Sequence, residues 1–338
     1  MKVHILDPRE VVPHCQADGK YLRAYRQIVR DAQEDAVGRH PLASNASTAD
    51  LILAPVNDNA YGPFFERLKA SRYVRAGAPL VVYCPDDKRL PSLPGLYPSC
   101  TPFWRRLGLA LPAHYRSDHL PRHDFRPDEI TSKDVLTSFV GAFGSHPVRR
   151  QIAEIGLRDS IIREASPDGR FWWDRSLEEQ EEIKRSYRTV LARTRFALCP
   201  RGVSAASIRI YEAMEARAVP IIIADEIELP SGPDWASFSI RVPLKAINDL
   251  PEVIARHEPR SEEMGAQARA AWTKYFSPQA SYHSLVEWSQ ELIAKGASSF
   301  LRPPRLAADI ASFVAPRHIR QRLGVLKRSL LARVRQQA

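Results

Sequence analysis

Short apolar runs alternate with longer stretches of helical periodicity along most of the chain. Val3–Leu6, Leu51–Ala54, Leu80–Tyr83 and Val219–Ala224 have four to six residues each, the length of buried strands. Between such runs lie helical patterns, of which the charged stretch Leu177–Arg193 is the longest. This alternation is typical of α/β proteins, in which helices cover both faces of a parallel sheet.

The same patterns divide the chain into two halves. Further strands are predicted at Leu136–Gly141, Ser160–Ile162 and Phe196–Leu198. Further helices are predicted near Tyr21–Ala36, Phe64–Arg75, Val148–Ile155, Ala205–Arg217, Asn248–His257, Glu262–Tyr275 and Tyr282–Ala294. The segment Pro85–Pro127, rich in Pro, Arg and His, is interpreted as irregular with one short helix. We therefore expect one Rossmann-like domain over residues 1–132, a second over 133–296, and a tail over 297–338.

Composition excludes several other classes of protein. With 338 residues, of which 44% are hydrophobic, the chain can build a sizeable core and is not of a disordered class. No apolar stretch approaches the roughly 18 residues of a transmembrane helix, and the N-terminus does not resemble a secretory signal. The cysteines lack paired spacing and clustered histidines, so we expect no disulfide framework or zinc site and a reducing, cytoplasmic setting. They are Cys15, Cys84, Cys100 and Cys199.

The positive charge is concentrated at the C-terminal end. Residues 300–338 carry nine bases and one acid, a net charge of +8, which leaves only +2 for the other 299 residues. From Arg317 onward, apolar residues recur at spacings of three and four among these bases, which predicts a basic amphipathic helix over residues 317–338. Such a helix can lie on an anionic membrane surface, although a packed or solvated terminal helix has the same pattern. Because the body is nearly neutral, a nucleic-acid partner is not expected.

The segment from residue 196 to 242 carries the strongest chemical signal. It is predicted to form a strand, a loop, a helix starting near Ala205, and a second strand. The loop Pro200–Ala206 contains Arg201, which can donate to two phosphate oxygens, and Gly202, which allows close backbone approach. Exposed amides and the positive end of the helix dipole would make this loop an anion site.

Arg209 and Glu212 are three residues apart on the predicted helix and so share one face. They could form an ordinary ion pair within the helix. Alternatively, Arg209 could bind a diphosphate while the Glu212 carboxylate accepts from both hydroxyls of a ribose.

Residues 196–242 resemble the exostosin family, glycosyltransferase family 47, over about fifty residues. The resemblance is carried by the line FALCPRGVSAASIRIYEAMEARAVPIIIADEIELP and by the WASFSIRVP that follows it. Weaker similarity extends upstream, at Ala49-Asp50-Leu51 before Pro55 and at Ser138–Gly141 before Pro147-x-Arg149.

The resemblance implies a GT-B fold, in which two Rossmann-like domains face a central cleft. It also implies an inverting transferase that moves a hexose or pentose from a nucleotide-diphosphate donor, most often a UDP-sugar, to a glycan or lipid-linked glycan in polysaccharide synthesis. The second domain would hold the donor and the first the acceptor. Residues of the donor motif would be Gly141, Arg201, Gly202, Ser204, Ser207, Arg209 and Glu212.

The general base and the metal requirement depend on other residues. Asp58, just after a predicted strand end, is our candidate base, because parallel folds place ligands at the carboxyl ends of strands. Asp7, His14, His123 and Asp124 are further candidates that the sequence does not rank. No DxD motif is present, and Asp86-Asp87 are interpreted as turn residues at a strand end. We therefore expect no metal or other cofactor.

Two alternative functions belong to other classes. A dinucleotide-dependent oxidoreductase would need G-x-G-x-x-G after an early strand, whereas the chain has only Gly141-Ala142-Phe143-Gly144. A non-catalytic scaffold or membrane-surface protein with a nucleotide-binding body would not need the Arg209–Glu212 constellation. The transferase is therefore the favoured prediction, with the enzyme held peripherally on a membrane by its tail.

Overall fold

The fold is known from a computed structural model, which describes most of the two halves. The described residues are 1–12, 19, 22–56, 63–75, 79–87, 93–117, 123–130, 132–165, 167–168 and 174–297. The predicted basic helix over residues 317–338 lies outside them, as do Asp58, His14 and Cys15.

The first half contains a parallel sheet whose five strands lie in chain order. They are β1 (Val3–Ile5), β2 (Leu51–Pro55), β3 (Leu80–Tyr83), β4 (Gly95–Tyr97) and β5 (Ala110–Pro112). Its helices are α1 (Leu22–Glu34), α2 (Pro63–Lys69), α3 (Arg72–Arg75) and α4 (Pro102–Arg106). Strands β4 and β5 correct the interpretation of Pro85–Pro127 as irregular. Each of these strands has only three residues, too few for the side-chain pattern to predict a strand. Hydrogen bonds to the neighbouring strand hold each one in the sheet.

The second half contains a parallel sheet in the order β10-β9-β8-β6-β7. Its strands are β6 (Val135–Gly141), β7 (Ser160–Glu164), β8 (Thr194–Pro200), β9 (Val219–Ile223) and β10 (Ile240–Val242). Its helices are α5 (Val148–Glu154), α6 (Leu177–Arg193), α7 (Arg209–Glu215), α8 (Trp235–Phe238), α9 (Leu250–His257) and α10 (Ser261–Tyr275). The order reverses between β6 and β8, so the chain leaves these adjacent strands toward opposite edges of the sheet.

Helix α7 begins at Arg209, so the predicted start near Ala205 is wrong by one turn. The backbone before it continues the extended path of β8, since the Arg201 amide donates to the Ile223 carbonyl at 3.0 Å. Ser204 does not cap a helix, because its hydroxyl donates to Asp87 in the first half at 2.9 Å. Contacts with other parts of the protein thus hold residues 201–208 in a loop, although alanines and serines are compatible with a helix.

Helix α11 (Pro278–Leu292) returns to the first half and packs on α1, β4 and β5. Ala36 just after α1 donates its amide to the Gln279 carbonyl at 2.9 Å. One apolar core continues from the first sheet to α11, with Ile28, Leu96, Tyr211 and Leu285 among its members. The two halves are therefore packed together through α11.

Two parallel five-stranded sheets with flanking helices confirm the expected α/β fold of GT-B type. Across the described residues, none of the helices has both the length and the apolar character needed to cross a bilayer.

Candidate functional site

A cavity of about 210 Å³ lies between the two halves, and we call it the Arg149 cavity. From the first half, Pro85–Asp87 follow β3 and Tyr115 follows β5. From the second half come Arg149, Gly202, Ala206, Ser207, Ile208 and Arg209. The cavity thus lies at the carboxyl ends of strands of both sheets. In open α/β folds, ligands bind at this edge, in the crevice where the strand order reverses.

Arg209 holds its side chain against the end of β6. Its Nε and Nη2 donate to the Val140 carbonyl at 3.0 and 2.7 Å. A Cβ built on Gly141 would lie only 2.4 Å from Arg209 Nη2, so a side chain at this position would displace the guanidinium. Glycine is therefore needed at residue 141 for the close approach of Arg209. The sequence places these two residues in one motif, and the structure brings them into contact.

Arg149 joins the ends of β6 and β8 at one wall of the cavity. Its guanidinium donates to the carbonyl oxygens of Arg201, Ala142 and Pro200 at 2.9, 3.0 and 3.2 Å. Only 6% of the residue is exposed. A Cβ on Gly202 would lie 3.0 Å from Arg149 Nη2, so Gly202 permits this packing. Arg149 was part of the upstream similarity but was not predicted as a site residue.

The two guanidinium groups bring two positive charges to the same end of the cleft. Both lie over the Phe139 ring, with Arg149 Cζ 5.4 Å and Arg209 Cζ 5.3 Å from its centroid. Burial and the nearby Arg209 charge lower the pKa of Arg149 to about 9. Among the described residues, no carboxylate forms an ion pair with either arginine. A bound anion would relieve this repulsion.

Ser207 adds an unsatisfied polar group to the same wall. It is 5% exposed, and its Oγ has no hydrogen-bond partner among the described residues. Buried hydroxyls normally have partners, so this one is available for a ligand in the cavity.

Asp87 faces the arginines from the first half. Its Oδ1 accepts from Ser204 at 2.9 Å and from Tyr115 at 2.7 Å. Asp87 therefore links the loop after β8 to two loops of the first half. The sequence predicts Asp87 only as a turn residue at a strand end. The contacts that place it in the cleft are with residues 28 and 117 positions away, which a local pattern does not reveal.

Glu212 lines a second, smaller cavity of about 50 Å³, which meets the Arg149 cavity at Tyr115 and Ile208. Its carboxylate accepts from the Tyr187 hydroxyl at 2.7 Å and lies 3.3 Å from His123 Nε2. Burial opposes both charges, but their mutual attraction prevails, so the pKa of His123 is raised and that of Glu212 is lowered. The ion pair of Glu212 is therefore with His123, and not with Arg209 within the helix.

The other sequence candidates have separate places. Arg201 does not line either cavity, and its Nε is buried without a partner among the described residues. Asp7 caps a short 3₁₀ helix by accepting from the Arg9 amide at 2.8 Å, which is a structural role. Asp124 donates its amide to Glu215 at 2.8 Å. Within the described part of the chain, the cysteines at 84, 100 and 199 are buried, and burial raises the pKa of Cys100 to about 12.

Two Rossmann-like halves with a cavity between them have the arrangement of the GT-B fold. Residues 99–256 match the family model of the Exostosin GT47 domain. Over these residues the chain is similar to the exostosin family, which confirms the resemblance found in residues 196–242. The match spans both walls of the cavity except for Pro85–Asp87.

Curated relatives agree with this placement. The chain is 23% identical over 233 residues to the probable glucuronoxylan glucuronosyltransferase IRX7 of Arabidopsis thaliana, covering 68% of this chain and 49% of that protein. It is 28% identical over 128 residues to Exostosin-1 of Drosophila melanogaster, covering 35% of this chain and 17% of that protein. The chain thus spans about half the length, or less, of these relatives. A solved structure, Anabaena Alr3699/HepE in complex with UDP, is 12% identical with a TM-score of 0.44, covering 88% of this chain and all of that one.

Proposed function

We propose that the chain is a glycosyltransferase that takes a sugar from a nucleotide-diphosphate donor and adds it to a glycan in polysaccharide synthesis. The donor binds in the Arg149 cavity, and the acceptor approaches from the first half. Relatives named as glucuronosyltransferases make UDP-glucuronate the first donor to test, with other UDP-hexoses and UDP-pentoses after it.

The observation that carries this proposal is the pair of guanidiniums on Phe139. Arg149 and Arg209 face one cavity at the carboxyl ends of β6 and β8, without a carboxylate partner among the described residues. A diphosphate supplies the missing negative charge, and Ser207 can donate to one of its oxygens. Glu212 lines the smaller cavity, which shares Tyr115 and Ile208 with the Arg149 cavity, and its carboxylate can accept from a ribose hydroxyl.

Departure of the nucleotide diphosphate needs stabilisation of the charge that develops on its leaving oxygen. In our proposal, the two fixed arginines supply it without a metal ion. Both are held by backbone carbonyls before the donor binds, so little reorganisation is needed during the reaction.

An inverting transfer also needs a base that removes the proton of the acceptor hydroxyl while the sugar carbon is attacked from the opposite side. Asp58 remains our candidate from the sequence. Asp87 is a second candidate, because it lines the Arg149 cavity from the acceptor half. Its Oδ1 accepts from Ser204 and Tyr115, which orient the carboxylate toward the cleft.

Asp58→Asn and Asp87→Asn distinguish the two bases. The variant that lacks the base should keep UDP affinity but lose about 10²- to 10⁴-fold in kcat, the usual contribution of general base catalysis. If both variants retain wild-type kcat, neither aspartate is the base.

Thermal unfolding with added nucleotides tests the function class itself. UDP or GDP should raise the melting temperature, because a ligand stabilises the state that binds it, whereas NAD⁺ should have a smaller effect. Release of UDP from UDP-sugars, measured with and without oligosaccharide acceptors, then tests for transfer. Stabilisation by NAD⁺ alone would favour an oxidoreductase, and stabilisation by UDP or GDP without transfer to any acceptor would favour a non-catalytic protein with a nucleotide-binding body.

A further inference from the structure

A histidine and acid cluster lies where α11 meets the loop after α1, apart from the residues that line the Arg149 cavity. His283 and Glu287 are four residues apart and so lie on one face of α11. His40, from the loop, places its Nε2 2.9 Å from Glu287 Oε1, and its ring centroid lies 4.9 Å from that of His283. Each of the three residues offers one ligand atom, and all these atoms lie within 4.8 Å of one another.

The cluster contains polar atoms that the described residues leave without partners. His40 is 7% exposed, yet its Nδ1 makes no hydrogen bond to a described residue. The same holds for the buried Nδ1 of His283 and Oδ1 of the nearby Asp35. Three unsatisfied polar atoms at one place are unusual in a folded protein and need a physical reason.

We propose that His40, His283 and Glu287 bind one divalent transition-metal ion, with Zn²⁺ as the best match. Two imidazole nitrogens and one carboxylate oxygen are a donor set that zinc prefers, and a water completes a tetrahedron. His40 Nε2 and Glu287 Oε1 lie 2.9 Å apart, which is close to the spacing of two ligand atoms on one ion. The two rings are parallel to within 15°, so the His283 ring must turn to direct its lone pair at the same ion.

Such an ion would join the halves of the protein. The Tyr282 hydroxyl donates to the His40 carbonyl at 3.0 Å, and His114 Nε2 lies 2.8 Å from Ser281 Oγ. The metal would extend this set of contacts by about one and a half turns of the helix and hold α11 to the first half. Its role is structural, and it is independent of the proposed transferase activity.

The test is zinc binding to the untagged full chain after dialysis against EDTA. Calorimetry with ZnCl₂ should give about one tight site per chain. His283→Ala and Glu287→Gln should each bind zinc at least about tenfold more weakly. Loss of a residue that only hydrogen-bonds to a metal ligand already weakens metal binding by about that factor. Co²⁺ should give the visible absorption of a tetrahedral site in the wild type and lose it in both variants.

Glu291→Gln is the matched control, because Glu291 lies one further turn along α11 and pairs with Lys295 instead. It should bind zinc like the wild type. Circular dichroism of the metal-free proteins shows whether the variants fold. Absence of zinc binding by the wild type, or equal affinity in the wild type and the two folded variants, would overturn the proposal.

Discussion

The guanidinium of Arg209 occupies the space beside Gly141 that any larger residue would need. Arg209 Nη2 would lie 2.4 Å from a Cβ on Gly141, while the same guanidinium donates twice to the preceding carbonyl of Val140. The end of β6 and the first residue of α7 are thus fitted to each other, at one wall of the Arg149 cavity.

Gly141→Ala should therefore weaken nucleotide binding with little loss of stability. The methyl group meets the far end of a flexible side chain, which can move, but the displaced guanidinium no longer faces the diphosphate. Loss of a charged hydrogen bond costs about 1.5–3 kcal/mol, so UDP affinity should fall roughly ten- to a hundredfold in calorimetry. Gly144→Ala is the control, because a Cβ there meets nothing within 4 Å. Equal losses of affinity in both variants would contradict the proposed contact.

The sequence groups Gly141 with Arg209, which the structure brings into contact, but it does not indicate the residues that surround them. These two residues can be recognised from the sequence, because Arg209 belongs to the distinctive segment 196–242 and Gly141 ends a predicted strand. Arg149 and Asp87 could not be placed, since carbonyls and side chains far away in sequence position them. Strands β4 and β5 were missed for the same reason, because three residues are too few for a periodic pattern and their pairing is set by the neighbouring strand.

The His123–Glu212 pair predicts a pH-dependent contribution to stability. Because the pKa of His123 is raised in the folded state, this contribution is complete below the unfolded value of 6.5 and is lost as the pH rises through the folded value. Because the pKa of Glu212 is lowered, its contribution is complete above 4.5 and is lost as the pH falls through the folded value. The pair should therefore stabilise the protein most between about pH 4.5 and 6.5.

Glu212→Gln should accordingly lower the free energy of unfolding by about 1–3 kcal/mol in that window and by less at pH 8.5. Urea unfolding of both proteins at pH 5.5, 7 and 8.5 measures the difference. A difference that stays constant over this range would mean that His123 does not titrate with Glu212.

Transfer should not require a metal ion if Arg149 and Arg209 stabilise the leaving diphosphate. Metal independence is tested most clearly in a His283→Ala/Glu287→Gln double variant, because EDTA then has no zinc to remove from the proposed site at α11. Its turnover should be the same with EDTA as with Mg²⁺ or Mn²⁺. If EDTA abolishes turnover and either ion restores it, the leaving-group role of the arginines is wrong.

Residues 317–338 remain predicted as a basic helix that binds anionic membranes near a lipid-linked acceptor. Each base contributes about 1 kcal/mol at an anionic surface, and the attraction fades beyond a Debye length of about 8 Å at physiological ionic strength. The full chain should co-sediment with anionic but not neutral liposomes, less so in high salt, and a chain ending at Ser299 should not. Equal sedimentation of the two chains would remove the membrane proposal.

We propose that the Arg149 cavity binds the diphosphate of a nucleotide sugar, and calorimetry on Arg209→Ala is the sharpest test of this binding. Calorimetry with UDP should show a roughly ten- to hundredfold loss of affinity in this variant. Arg241→Ala is its control, since Arg241 also donates to a backbone carbonyl, that of Ile227, but does not line the cavity. It should bind UDP like the wild type. Unchanged affinity in Arg209→Ala, with the fold intact, would contradict the claim.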